Sequence, residues 1–438
     1  MRRHRLGGLP ATEVAKRART DQQDRRVALS TIFKIVEKHY PQSSAVRVVR
    51  SEVGDAEPAT SVSLCAMTEK KATSTLQKRA CSIRMYDAWV SSASGVGAFG
   101  DEPTVFAYAK HLFEDKAPAT RAASLVESLN FLEGVFALDL LPVRASSRIK
   151  GMCVRSLRTR AAVRQRATFT VDLMKVMEQI LEDDGGKGGH DGVIIGAALF
   201  SIYARVRIGD LRRCCMEPVL DLVDGRGYVE TEFLDHKTAV PGTRKALPIV
   251  APAFGLTGPW AARWATTRRS AGLDAAKDMT VLPAMGDDGA WTDVPFTTVE
   301  FASSVREVLL RHGVSPDALA NIGAHSMKAT LLSWTAKFGI AKPIRRTLGY
   351  HTDVNDKAVE TYSRDAMAAP LRELERVLES VRAGSFHPDA TRSGLFQKSD
   401  IDVHGVRSGS GDRARSAQRL RDLASGSVSS LSSASSSS

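Results

Sequence analysis

Between Arg144 and Arg166 the sequence carries eight cations and not one acidic residue. Arg144, Arg148, Lys150, Arg155, Arg158, Arg160, Arg164 and Arg166 repel one another, and such a block costs stability unless a polyanion lies against it. It also stands between two stretches with different hydrophobic patterns. With 438 residues the chain exceeds the size at which a single core stops growing, so two folded domains with tails are expected.

On the N-terminal side the pattern is helical. Residues 1–69 read as a basic, mostly flexible arm with one short amphipathic helix near Ala28–His39, through Leu29, Ile32, Phe33 and Val36. From Ser74 onward Leu76, Ala80, Ile83, Tyr86 and Val90 recur at helical spacing. A second helix has Asp101 at its N-cap and Pro103 in its first turn, followed by Phe106, Ala109 and Phe113. The third has one stripe, Ala122, Leu125, Leu129, Leu132 and Phe136. Short helices with short connections predict an all-α domain over 70–142, followed by a DNA-tracking linker over 143–167.

A second domain is expected over 168–382. Thr170 to Leu181 predicts an amphipathic helix, stopped by the glycines at 185–189. That cluster lacks the Gly-Lys-Ser/Thr ending of a phosphate loop. Val193 to Tyr203 is apolar enough for a buried helix. The period then shifts towards two, and 219–223, 228–234 and 245–250 predict a three-stranded antiparallel sheet with a turn at Gly225–Gly227. Further on, Thr297 and Glu300 form a capping box ahead of Phe301, Val305 and Leu309. The fold class is α+β, mainly helical, with one small sheet. Ten of the last fourteen residues are serine, so 383–438 is expected to be a disordered tail.

Composition narrows the partners. A net charge of +12 points to an acidic partner, most often nucleic acid. Cys65, Cys81, Cys153, Cys214 and Cys215 have neither zinc nor disulfide spacing and read as reduced intracellular thiols. No apolar run approaches the length of a membrane span, and the basic start has no apolar stretch behind it. The expected location is intracellular with DNA: a nucleus, or the cytoplasm and nucleoid.

Breaking a phosphodiester without a metal needs a nucleophile, fixed cations on the non-bridging oxygens and an acid for the leaving oxygen. Arg207, in Ala204-Arg-Val-Arg-Ile-Gly-Asp-Leu211, follows a buried helix and has Asp210 within reach to brace it. Lys237 falls between the second and third predicted strands. His325 and Lys328, three apart in a helical run, share a face. His351 follows Leu348-Gly349-Tyr350, and Tyr362 precedes a last amphipathic helix through Leu371, Leu374, Leu378 and Val381.

In order and spacing, Arg207, Lys237, His325-x-x-Lys328, His351 and Tyr362 resemble the tyrosine recombinase (phage integrase) family. Its pattern is Arg, Lys, His-x-x-Arg, His or Trp, and Tyr; its first box reads Thr-Gly-Leu-Arg-Ile-Ser-Glu-Leu. The resemblance covers roughly 70–381. Two departures stand out: Lys328 replaces the second arginine, and Leu-Gly-His is lengthened to Leu-Gly-Tyr-His. Tyr350 and His351 thus both compete for the fifth role, with His351 preserving the distance from His325.

The resemblance implies a site-specific recombinase or integrase, such as a mobile element encodes, clamped in a C shape around double-stranded DNA. Tyr362 would form a 3′-phosphotyrosyl link. Arg207, Lys328 and His351 would stabilise the transition state, Lys237 would protonate the 5′ oxygen and His325 would assist. No cofactor is implied. The helix after Tyr362 would dock on a neighbouring protomer in a tetramer on DNA, or pack on its own core. A catalytically weakened DNA-binding relative and a type IB topoisomerase-like enzyme are the alternatives.

Overall fold

The computed structural model describes residues 21–92, 97–160, 165–212, 214, 218–233, 247–273, 280–286, 288–351 and 366–394. Two hydrophobic clusters that share no residue organise them, one drawn from 28–153 and the other from 169–386.

The first cluster is helical. Helices α1 (Asp21–His39), α2 (Ser44–Val53) and α3 (Val62–Thr68) precede the three anticipated from sequence, α4 (Thr73–Ser92), α5 (Glu102–Glu114) and α6 (Arg121–Phe136). The expected arm is therefore folded from residue 21 onward. Leu29, Ile32, Phe33 and Val36 are buried, and Val46, Val49 and Leu64 from α2 and α3 join them. Ser43 and Ser61 accept from Val46 N and Leu64 N, which satisfies donors at the starts of these short helices. The stripe of α6 is buried throughout, as its spacing predicts.

The basic segment also departs from expectation. It is largely helical, as α7 (Leu141–Ala145) and α8 (Ser147–Arg158). Ile149, Met152 and Cys153 of α8 are buried in the first cluster. Three apolar side chains at helical spacing give a cationic stretch an inner face, so the region expected as a linker is mostly the last helix of the first unit.

The second cluster is built around α10 (His190–Tyr203), in which every residue from Gly192 to Tyr203 is buried. Trp264 of α12 (Trp260–Ser270) packs so closely on Gly196 that a Cβ there would overlap its ring. Preceding it, α9 (Val171–Asp184) is capped by Thr170 and closed by Gly185 in the left-handed conformation. Between α10 and α12 comes the short α11 (Ile208–Leu211). The sheet β1–β2–β3 (Val219–Val223, Arg226–Phe233, Leu247–Pro252) is antiparallel, as expected. Its first turn lies one residue earlier than the glycine spacing predicts. Asp224 and Gly225 both have positive φ, and Val223 pairs with Arg226, the two-residue geometry that an Asp-Gly dipeptide favours. A small hairpin, β4 (Pro283–Met285) with β5 (Trp291–Pro295), adds a second sheet that the sequence pattern does not signal.

The capping box at Thr297 and Glu300 opens α13 (Thr298–Arg311). After α14 (Pro316–Leu319) come α15 (Ala324–Lys337), α16 (Lys342–Leu348) and α17 (Ala368–Arg382). Of the two readings of α17, packing on its own core is observed: Leu374, Val377 and Leu378 belong to the second cluster, and Leu371 is buried too. Residues 383–394, expected to belong to a disordered tail, are ordered against the second unit. Phe386 is buried against Phe338, Lys337 donates to Pro388 O at 2.5 Å, and the Asp389 carboxylate accepts from Val171 N at the start of α9. Residues 395–438 lie outside the described residues.

Candidate active site

Arg207 stands at the N-cap of α11, where the chain leaves the buried α10, and its side chain is about half exposed (54%). Asp210 lies 3.7 Å from its guanidinium, an ion pair rather than a close hydrogen bond. The anticipated brace is present, but loose.

His325 and Lys328 lie one turn apart at the start of α15. His325 is exposed, whereas Lys328 is partly buried and its Nζ donates to Gly349 O at 2.8 Å. That bond joins α15 to the end of α16, and so sets the ammonium beside the turn that carries His351. Burial first, then the nearby Arg207 charge, push the Lys328 ammonium down to about 8, with Asp210 opposing and Arg205 contributing. His351 is exposed, and its imidazole is held below its ordinary value by partial desolvation, then by Lys328, Arg207 and Arg346. Arg207, Lys328 and His351, distant in sequence, therefore feel one another's charge. Two cations and the His351 imidazole converge here, with Asp210 opposing the positive charge.

Tyr350 and His351 differ in their surroundings. Tyr350 accepts from Val250 N at 3.1 Å and its hydroxyl lies 3.4 Å from Val250 O, so its polar end is tied to β3. Burial raises its hydroxyl above the usual tyrosine range. His351 keeps an exposed ring.

Lys237 and Tyr362 lie outside the described residues, as does Arg164. Of the other cations in the basic segment, two are opposed. Arg144 is 3.4 Å from Glu133, while Arg148 is paired with Glu102 and lies over the Phe106 ring. The segment has no acids of its own, but neighbouring α5 and α6 supply them. Arg155 lies over Phe113 at 4.6 Å. Lys150, Arg158, Arg160 and Arg166 are exposed.

One residue near the site carries no sequence signal. Arg205 is fully buried, with φ of +54°. Its guanidinium donates to the carbonyls of Tyr203, Leu348 (3.1 Å) and Val250 (3.4 Å). A non-glycine residue in the left-handed region costs about 1 kcal/mol, and a buried guanidinium more. Nothing in the local string distinguishes Arg205 from a surface arginine, because its acceptors come from three separate elements.

No metal-ligating cluster of His, Cys, Asp and Glu occurs among the described residues, and no described helix is long and apolar enough to cross a membrane. No protein-family model and no curated protein sequence matches the chain. Among solved structures it is similar to the crystal structure of the XerH site-specific recombinase bound to palindromic difH substrate, a post-cleavage complex. Identity is 11% and the TM-score 0.42, with 81% of this chain and 97% of that chain covered. A likeness at this level gives no residue a role.

Proposed function

We propose that the chain is a site-specific DNA recombinase, which cuts and rejoins duplex DNA through a 3′-phosphotyrosyl link to Tyr362. The observation that carries this reading is the hydrogen bond from Lys328 to Gly349 O at 2.8 Å. It gathers Lys328 and His351 into reach of the Arg207 charge, in a constellation that suits the non-bridging oxygens of one phosphate.

In the proposed reaction the Tyr362 oxygen attacks phosphorus while the bond to the 5′ oxygen breaks. Lys237 delivers the proton that the leaving oxygen needs, and His325 assists proton transfer. Arg207 and the Lys328 ammonium offset the charge that develops on the phosphorane. His351, neutral near pH 7 because its proton affinity is depressed, donates a hydrogen bond without adding charge. One phosphoester replaces another, so rejoining is the reverse displacement and needs no external energy source. Arg158, Arg160, Lys150 and Arg166 would follow the DNA backbone. A tetramer would assemble on two DNA sites.

One observation favours a second reading, a DNA-binding relative with weakened chemistry. Lys328 supplies a point charge where a guanidinium would supply a planar fork. A nicked suicide duplex, on which the cut strand cannot be rejoined, separates the two. The parent should accumulate a covalent adduct, and Tyr362→Phe should bind DNA equally well and form none. An adduct that survives this substitution would sink the assignment of Tyr362. A requirement for two DNA sites separates recombination from relaxation by a single topoisomerase-like molecule.

A further inference from the structure

Arg205 and Tyr350 occupy equivalent places at the ends of two different helices. Both are left-handed, with φ of +54° and +57°. At the end of α10, Arg205 N donates to Ile202 O at 3.0 Å and Val206 N to Ser201 O at 3.1 Å. At the end of α16, Tyr350 N donates to Thr347 O at 2.9 Å and His351 N to Arg346 O at 2.9 Å. Each is a Schellman turn, whose left-handed position normally falls to glycine. Here both positions carry large side chains, and the two meet. The Arg205 guanidinium stands 5.9 Å from the Tyr350 ring, and each reaches the backbone of Val250.

We infer that Arg205 and Tyr350 form a clasp that positions Arg207 and His351 around a single anion site. This rests on reading that site as a phosphate site. Each turn hands the chain directly to a site residue: Arg205 is two residues before Arg207, and Tyr350 immediately precedes His351. The Arg205 bonds to Tyr203 O, Leu348 O and Val250 O tie α10, α16 and β3 together at one guanidinium. Gly349, between Leu348 and Tyr350, is the residue that accepts from Lys328. The clasp therefore fixes three of the groups that surround the site, through side chains bonded to the backbone of other elements.

Mere mortar between helix ends would not need a cation. Among the described residues no carboxylate is paired with Arg205, whose hydrogen-bond acceptors are all carbonyls. It adds its charge to those of Arg207 and Lys328, and lowers the proton affinity of the latter. A group of like charges held this close is stable when an anion sits among them. Arg205 touches no substrate on this account. It is a positioning residue, and its charge adds to the field at the site.

The test uses the full chain and Arg205→Gly, because glycine accepts the left-handed turn and removes only the side chain. Two readouts are followed: inorganic phosphate titrated against the His351 ring resonances, and adduct formation on the nicked duplex. Arg205→Gly should lower adduct formation on the order of a hundredfold, the scale of a misplacement of about 1 Å. It should also weaken phosphate binding. Guanidinium chloride, far below denaturing concentration, should restore both, while sodium chloride of equal strength should not. Tyr350→Phe keeps every charge and loses the hydroxyl, and should cost about tenfold in adduct formation. The double variant should then be no worse than Arg205→Gly alone, the non-additivity of a single unit.

Parental phosphate binding and cleavage in Arg205→Gly would overturn the inference, as would a loss that guanidinium does not reverse in a protein with the parental melting temperature. Should Arg205→Gly fail to fold, Tyr350→Phe decides: parental behaviour there overturns the clasp. A parent that binds phosphate through His351 yet forms no adduct would remove the strand-transfer reading, leaving the clasp to be judged by phosphate alone.

Discussion

The two units bury different kinds of polar group. Among the described residues, the buried polar side chains of the first unit are all neutral: Ser61, Thr68, Thr73, Thr104, Ser128 and Ser156. The second buries Glu178, Arg205, Arg268 and Glu300 as well. Charge in the first unit stays near the surface, as in the Arg50–Glu37 pair, in which both side chains are about one-third exposed. A buried charge is expensive unless it is fully hydrogen-bonded. Glu178 meets that condition through Tyr203, Leu256 N, Thr257 N and the Thr257 hydroxyl. The first unit is thus held by apolar burial, and its charges, paired or not, lie at or near the surface. In the second, fixed charges and their partners set the geometry, as the proposed anion site would require.

That contrast can be broken at several points. The largest expected effect is at Lys328. Lys328→Ala should slow cleavage on the order of a hundredfold or more, the value of one preorganised donor to a developing oxyanion. DNA affinity should barely change, because the interaction matters most in the transition state. Lys328→Arg should cleave at least as fast as the parent. Single-turnover rates on the nicked duplex decide this, and a parental rate for Lys328→Ala would make the lysine an ordinary helix residue.

Stability should show the contrast next. Glu178→Ala strands the Tyr203 hydroxyl and the amides of residues 256 and 257, and should lose about 2 kcal/mol or more in denaturant titrations. Arg50→Ala, at a partly exposed pair near the surface of the first unit, should lose less, about 1 kcal/mol. Equal losses would erase the distinction between the units.

The Lys328 ammonium also carries a pH signature. Its folded pKa, about 8, lies below the ordinary 10.5, so the fold disfavours the charged form. Below about pH 8 this works against stability, and the penalty fades as pH rises from about 8 towards 10.5. Activity should run the opposite way. Cleavage should decline as pH passes about 8 and the cation is lost, about tenfold for each further unit if the neutral form is inactive. Lys328→Arg should remove that alkaline limb, since arginine stays protonated. A limb that persists in the arginine variant belongs to another group.

The smallest effect is expected in the first unit. Changing Lys150, Arg158 and Arg160 to Gln should weaken binding to all sequences alike. The slope of log affinity against log salt should shrink by about 0.9 for each DNA phosphate that the variant no longer neutralises. Arg144→Gln and Arg148→Gln should change it less, because Glu133 and Glu102 already oppose those charges. An identical shift from both sets would show that these carboxylates do not restrain them.

Local pattern alone determined much of this. The stripe of α6, the buried α10, the capping box at Thr297 and the three strands follow from spacing and caps, which act between residues close in sequence. The helical character and position of His325 and Lys328 were legible for the same reason. What the string did not disclose depends on interactions between distant segments. The apolar face of α8 was concealed by the cations interspersed with it, and the folding of 21–68 depends on the cover that α4 and α6 give to its helices. That the Tyr350 hydroxyl is tied down while His351 stays exposed depends on Val250, about a hundred positions away in the chain. Arg205 looked like any surface arginine until three carbonyls from separate elements closed on it. The order of residues settles which positions can carry charge; only packing determines which charges are buried and held still, because their cost and their partners are set by atoms elsewhere in the fold.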